Sequence, residues 1–365
     1  MPCWLNGSSE QKNMLCKSVT FRDSCVFLCI LLLRHYVLHI SNVQVSSSTS
    51  SSDLKAFVRR IALYGIVFLS GLIAACFFLP SKHARETMLG AQITKLKALE
   101  ALPGERIIIV GGSGCGQGFV TSNICAALNR PAYNMGLHAG LGLIYQMVAV
   151  EPLIRKGDVV LLIPEYANFD GSSCFGGAEL LMMVCDIIPE QKRLLSFRHW
   201  LHLLPAIPKY GSDKLRHLLM SVDSFDRSRD FDLYGDAVYP SDLSEGAVLP
   251  FPAARHMSNK DFSPTVLSHI EEFIRRISSC GGAVYVVPPA FQASSFERQK
   301  LFIDCIVKAM EKSSIPLIAS PERYALDDKY FYDTPYHMNL LGRQMRTRML
   351  VEDLVQAHCD VSGAK

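Results

Sequence analysis

The chain has 365 residues, 49% of them hydrophobic, and a formal net charge of +3. That is enough apolar material for one large α/β domain, or for one domain plus an insertion. The charge is too mild for a nucleic-acid surface, and no basic run or aromatic-basic ladder occurs. Of the twelve cysteines, five (Cys3, Cys16, Cys25, Cys29, Cys76) precede the expected soluble region, and none of the others forms a C-x-x-C pair. Neither a zinc site nor a disulfide framework is indicated; Cys174 and Cys185 could pair if the domain is exported.

Residues 1–58 read as a disordered extension or a mis-assigned start, with the serine tract Ser46–Ser52 as a linker. The apolar run Cys25–Leu33 is short, and Arg34, His35 and His39 interrupt it. Ile61–Leu79 carries no charge and is long enough to cross a hydrocarbon core of about 30 Å. With Arg59, Arg60 and Lys55 before it and Pro80 after it, residues 59–80 read as an uncleaved anchor in the inner (cytoplasmic) membrane. The positive-inside tendency places the following domain in the periplasm or outside the cell. Residues 81–104 are expected to lift that domain off the membrane, with an amphipathic helix over Arg85–Leu102 ended by Pro103 and Gly104.

Arg106–Phe119, RIIIVGGSGCGQGF, places Ser113 in a glycine-rich turn after a β-branched run suited to a strand buried on both faces. The dinucleotide fingerprint fails, because its sixth position is Gln117 or Phe119. A P-loop would need a lysine that the loop lacks, and the G-x-S-x-G elbow would need glycine where Cys115 stands. Taken alone, the loop fits either a helix-capping serine or a reactive one. Beyond it the pattern predicts a helix over Gly118–Leu128, a strand over Ala132–Met135, a helix over Leu141–Arg155 and a strand over Val159–Ile163. Such alternation argues for βαβ units and a parallel sheet. A further strand is expected at Ala283–Val287, a helix at Phe296–Lys312 and an extended stretch at Pro316–Ala319. Cys174–Phe262 breaks the alternation and reads as an insertion; Asp232 and Asp236 within it do not make a metal site.

Near the C-terminus, Tyr332–Arg343 (YDTPYHMNLLGR) sets Asp333 and His337 close together. A serine after the first strand, with an acid and a histidine in one late block, resembles the SGNH/GDSL hydrolase superfamily, over roughly Glu105–His358. Ala132–Gly140, AYNMGLHAG, is similar to that family's second block. VVLLIPEYANF and YHMN resemble envelope-associated SGNH-like proteins, similar in style to D-alanyl-transfer and alginate-acetylation proteins. The third block departs from the usual Gly-x-Asn-Asp: Pro164, Glu165 and Tyr166 follow the strand, and Asn168 is the nearest asparagine. One extra residue also separates Asp333 from His337.

The resemblance implies a three-layer α/β/α, flavodoxin-like domain over residues 105–360, with an insertion at about 174–262. It further implies Ser113 as nucleophile, His337 as general base and Asp333 as the group that orients the imidazole. The N–H groups of Ser113 and of Gly136 or Gly140 would hold an oxyanion, with Asn168 as a weaker donor. Glu165, Tyr166 and Arg343 would meet substrate. No cofactor or metal is implied. The expected partners are an acylated glycan or polysaccharide and a membrane acyltransferase, acting in esterase or O-acetyltransferase chemistry. The competing expectation is an inactive scaffold of the same shape. His138 is expected to bond to backbone, and Arg346 and Arg348 to face solvent.

Overall fold

The computed structural model describes residues 51–78, 81–219, 227–238, 254, 256–313 and 315–357. The chain divides into two units, Met1–Leu79 and Pro80–Lys365. In the first, helix α1 (Ser51–Phe78) is the described element. Its side chains at 51–53, 72, 73 and 75–78 lie outside the described residues, as do 79 and 80 of the expected anchor and all of residues 1–50. Among the described residues no helix is long and apolar enough to cross a membrane.

The second unit is built on four parallel strands, β1 (Ile107–Gly111), β2 (Ala132–Asn134), β3 (Val159–Ile163) and β4 (Ala283–Val286), in the order β2-β1-β3-β4. Every residue of β1 and β3 is buried, as their unbroken apolar runs require when both faces of a sheet are covered. One face, with Ile108, Val110, Val160 and Leu162, packs against α5 (Leu143–Val150), α9 (Thr265–Ser279) and α10 (Ala293–Lys312). The other, with Ile107, Ile109, Leu161 and Ile163, packs against α4 (Thr121–Leu128) and α11 (Leu340–Gln356). The result is a three-layer α/β/α arrangement. The stretch expected at Pro316–Ala319 adds only a single parallel bridge, Val286 with Leu317, at the β4 edge.

The amino ends of β1 and β3 are clamped by a buried ion pair. Arg106 reaches Asp158 through Nε (3.1 Å) and Nη2 (2.5 Å), and Nη1 and Nη2 also donate to the carbonyls of Leu99 and Leu153, both at 2.6 Å. Both charges are therefore satisfied at full burial, the condition under which such a pair is tolerated.

The chain before β1 differs from its expected form. Two short 3-10 turns, Lys82–Glu86 and Met88–Gly90, precede α2 (Ala91–Ala101), and α2 is part of the packed unit. Leu99 and Lys95 are both buried there. The insertion contributes α6 (Ala178–Met182), a π-helical turn (Met183–Ile187), α7 (Phe197–Leu203) and α8 (Ile207–Leu219). Asp186 of that turn accepts from the Ser81 N–H (3.0 Å), Lys214 (2.6 Å) and the Tyr210 hydroxyl (2.8 Å). Cys174 and Cys185 do not pair: both are free and buried, one in a 3-10 turn and the other in the π-helical turn.

Candidate active site

In the strand order β2-β1-β3-β4, the chain runs from β1 to one side and returns on the other, so the sheet's switch point lies between β1 and β3. Ligand crevices of open α/β sheets open at the carboxyl ends of strands at such a point. Ser113 stands there, opening the short helix α3 (Ser113–Gly116) immediately after β1. The register pairs Gly111 with Ile163, so Ser113 and Glu165 each lie two residues beyond the last paired positions of adjacent strands.

The late block folds against this loop. An added Cβ at Gly114 would stand 3.2 Å from Tyr336 Cβ, so the block packs closely on the loop at a position that carries no side chain. Arg343 of α11 donates to the carbonyls of Gln117 (2.9 Å) and Ala237 (2.7 Å), and the Tyr332 hydroxyl donates to Gln117 Oε1. The Tyr336 hydroxyl accepts from the Tyr166 N–H at 3.1 Å, and its ring packs on Phe291. These ties give Tyr166 and Arg343 a framework role in this conformation, with the Arg343 guanidinium directed at backbone rather than at open solvent.

Within the block, His337 Nδ1 lies 2.8 Å from Asp333 Oδ1. The extra residue between them is taken up by a turn: Thr334 Oγ1 accepts from the His337 N–H (3.0 Å), and the Tyr332 N–H closes onto the His337 carbonyl (3.2 Å). A bridge between Phe331 and Met338 frames the turn. Both side chains are partly exposed, which leaves the imidazole reachable. Among the described residues no hydrogen bond joins Ser113 to His337.

The expected oxyanion donors have other partners. The Gly136 N–H donates to Asn134 Oδ1 (2.9 Å), and the Gly140 N–H donates to His138 Nδ1 (3.0 Å). His138 is thus backbone-bonded, and burial pushes its imidazole below the usual range, a shift that Glu179 opposes. Asn168 turns its Oδ1 toward the Glu165 N–H (2.9 Å), so this asparagine shapes the turn after β3.

Glu165 is the residue whose surroundings the sequence disclosed least. Only 8% exposed, it accepts from the Gly114 N–H through Oε1 at 3.3 Å. An added Cβ at Gly112 would stand 2.5 Å from that same oxygen. Burial raises its carboxyl above the ordinary carboxylate range, while the Gly114 N–H and His337 pull the other way.

Beneath the serine loop lies a polar network that sequence reasoning missed. Lys95 of α2 donates to the carbonyls of Asn134 (3.0 Å), Gly136 (2.6 Å) and Gly235 (2.7 Å), and sits 4.0 Å from the centre of the Phe231 ring. Asn134 Nδ2 bonds both the Cys115 carbonyl (2.9 Å) and Asp236 (2.8 Å), and Asp236 also accepts from the N–H and hydroxyl of Thr121, both at 2.6 Å. The turn Asp232–Asp236 is therefore a wall of this network. Arg346 likewise departs from its expected solvent-facing place: it is buried, 3.4 Å from the Tyr324 ring centre, and donates to the Pro288 carbonyl at 2.5 Å.

No protein-family model matches the chain, and no curated relative does. Among solved structures the chain is similar to the YxiM protein of Bacillus subtilis, with 14% identity over 70% of this chain and 58% of that one, and a TM-score of 0.33. The chain thus spans less than two thirds of that protein's structure. The α/β assignment rests on the parallel sheet itself.

Proposed function

We propose that the protein is a membrane-anchored SGNH-like serine esterase or O-acyltransferase, acetyl being the favoured acyl group, and that it acts on cell-envelope polysaccharide. The observation that carries this reading is the 2.8 Å His337–Asp333 pair, in a block packed on the loop that carries Ser113. In the proposed reaction Ser113 Oγ attacks the ester carbonyl while His337 takes its proton. The C–O bond to the alcohol then breaks as His337 returns that proton to the leaving oxygen. Water resolves the acyl-enzyme in an esterase; a sugar hydroxyl resolves it in a transferase. Asp333 holds the proton on Nδ1, leaving Nε2 free to act as base. The anchor of this reading is Ile61–Leu79 in the inner membrane, with the catalytic unit outside the cytoplasm and a membrane acyltransferase as a partner.

The test is fluorophosphonate labelling of the full chain in detergent, with Ser113→Ala and His337→Ala beside the parent. Labelling that vanishes in both variants supports an activated serine. A folded parent that takes no label favours the second reading, a scaffold that binds glycan or assists an acyltransferase. That alternative draws support from the engaged N–H groups of Gly136 and Gly140.

A further inference from the structure

Glu165 is a buried carboxyl that the mechanism above leaves unused, and its position is specific. It follows β3 at the level at which Ser113 follows β1, across the switch point of the sheet. Its Oε1 lies against both residues that flank Ser113: 3.3 Å from the Gly114 nitrogen, and within 2.5 Å of where a Gly112 Cβ would stand. The ionisable groups that face it are His337 and Tyr336 from the late block and Cys115 from α3. Among the described residues no lysine, arginine or histidine forms an ion pair with it. A carboxylate with no cationic partner at this depth is costly and holding a proton removes that cost, against the pull of the Gly114 and Asn168 N–H groups, which favour the ionised form. Meanwhile the site is short of donors, because the amide hydrogens of Gly136 and Gly140 are spent inside their own turns.

We propose that Glu165 works as a carboxylic acid, donating its O–H to the oxyanion formed when Ser113 attacks an ester carbonyl. The inference rests on the serine reading and deepens it. As Ser113 Oγ bonds to the carbonyl carbon, the carbonyl π pair moves onto oxygen, and that oxygen accepts hydrogen bonds from Glu165 and from the Ser113 N–H. The serine proton goes to His337; Glu165 keeps its own proton throughout, so nothing beyond ester and acceptor is consumed. A neutral carboxylic acid donating to a developing oxyanion is an established device where burial holds the proton in place. Gly112 is the residue that makes room for it.

The consequence is an alkaline limit on activity that does not come from histidine. Glu165 must be protonated to donate, so its ionisation sets an alkaline limb. The experiment is hydrolysis of p-nitrophenyl acetate by the full chain across pH 5–9, with Glu165→Gln and Glu165→Ala. A glutamine keeps an N–H donor at every pH. It is expected to abolish the alkaline fall while retaining activity within about tenfold of the parent maximum. Alanine is expected to lose about 10²- to 10³-fold throughout, the usual loss for one oxyanion donor. Glutamine as inactive as alanine, or alanine within threefold of the parent, would overturn the proposal.

Isotope-edited infrared spectroscopy of the parent minus Glu165→Gln provides a readout independent of turnover. A carboxylic C=O band at neutral pH is expected, and a carboxylate band alone refutes the protonated acid. Ser113→Ala separates the two levels of inference. Ester hydrolysis unchanged by Ser113→Ala defeats the serine reading and the donor role together; Ser113-dependent hydrolysis with an indifferent Glu165 defeats only the latter.

Discussion

The carboxylate of Asp333 accepts from His337 across a five-residue turn, and that turn is held shut by Thr334 Oγ1 rather than by regular secondary structure. Asp333→Asn reverses the hydrogen-bond preference at Nδ1 and favours the wrong tautomer of the imidazole. In a Ser-His-Asp mechanism, turnover is expected to fall by about 10⁴-fold with the fold intact. Thr334→Val is expected to act more mildly, by loosening the turn. Steady-state ester hydrolysis and the near-ultraviolet dichroism of both variants check this, and an Asp333→Asn enzyme within tenfold of the parent would remove Asp333 from the mechanism.

Gly112 and Gly136 both lack room for a side chain, but for different reasons. At Gly112 the added methyl meets the end of the Glu165 side chain at 2.5 Å; at Gly136 it meets the Gly116 backbone nitrogen at 2.4 Å and Cys115 Cβ at 2.5 Å. Side chains can rotate away and backbone cannot. Gly136→Ala is therefore expected to destabilise by about 1–3 kcal/mol or more. Gly112→Ala is expected to unfold near the parent midpoint while displacing Glu165. Urea titrations of the two variants distinguish these outcomes; equal midpoints would contradict the packing described.

Arg106 and Asp158 are each without exposed surface and share their charge with backbone groups on α2, β1 and the turn before β3. Removing one partner leaves the other buried and uncompensated. Asp158→Asn or Arg106→Met is expected to cost about 3–5 kcal/mol. Replacing both together with apolar residues is expected to cost less than either alone, and a double-mutant cycle in urea measures the difference.

Lys95 makes a pH prediction. Burial pushes its ammonium down to about 7, against the opposing pull of Asp236 and Asp232. Because the folded-state value lies below the unfolded one, the folded chain binds fewer protons between about pH 7 and 10. This group's contribution to stability thus rises with pH across that window and is absent below it. The three carbonyls it serves oppose the effect, since only an ammonium has three N–H donors. We expect the geometry to dominate, so that the rise stays small and Lys95→Met loses at least about 1–3 kcal/mol through unpaired carbonyls. Urea midpoints of parent and Lys95→Met at pH 7 and pH 9.5 test this; a strong alkaline rise in the parent would show that the neutral amine prevails.

Much of the sheet was legible because its strands are uninterrupted apolar runs with no competing helical period: Ile107–Val110 and Val159–Ile163 are strands as read. The approach of the Asp333–His337 block to the Ser113 loop was legible through the order of motifs, not through any local signal. What could not be read depends on register or on burial of polar groups. Placing Glu165 level with Ser113 requires the β1–β3 pairing, which spans a separation in sequence that no local pattern encodes. Lys95 lies among residues that alternate with charge and so reads as surface, although three carbonyls converge on it. Arg346 misled in the same way, because its cost of burial is offset by a tyrosine ring and a proline carbonyl. The amide hydrogens of Gly136 and Gly140 were expected to point outward; side chains two residues earlier in each turn capture them.

The start of the second unit, ahead of β1, has an engineering consequence. Ser81 is tied to Asp186, Lys95 holds the carbonyls of Asn134, Gly136 and Gly235, and the Leu99 carbonyl completes the Arg106 clamp. A recombinant fragment trimmed to the first strand at Glu105 would lose all three at once, and would be expected to misfold for reasons unrelated to its chemistry. The shortest piece worth expressing therefore begins at Pro80, where the second unit begins.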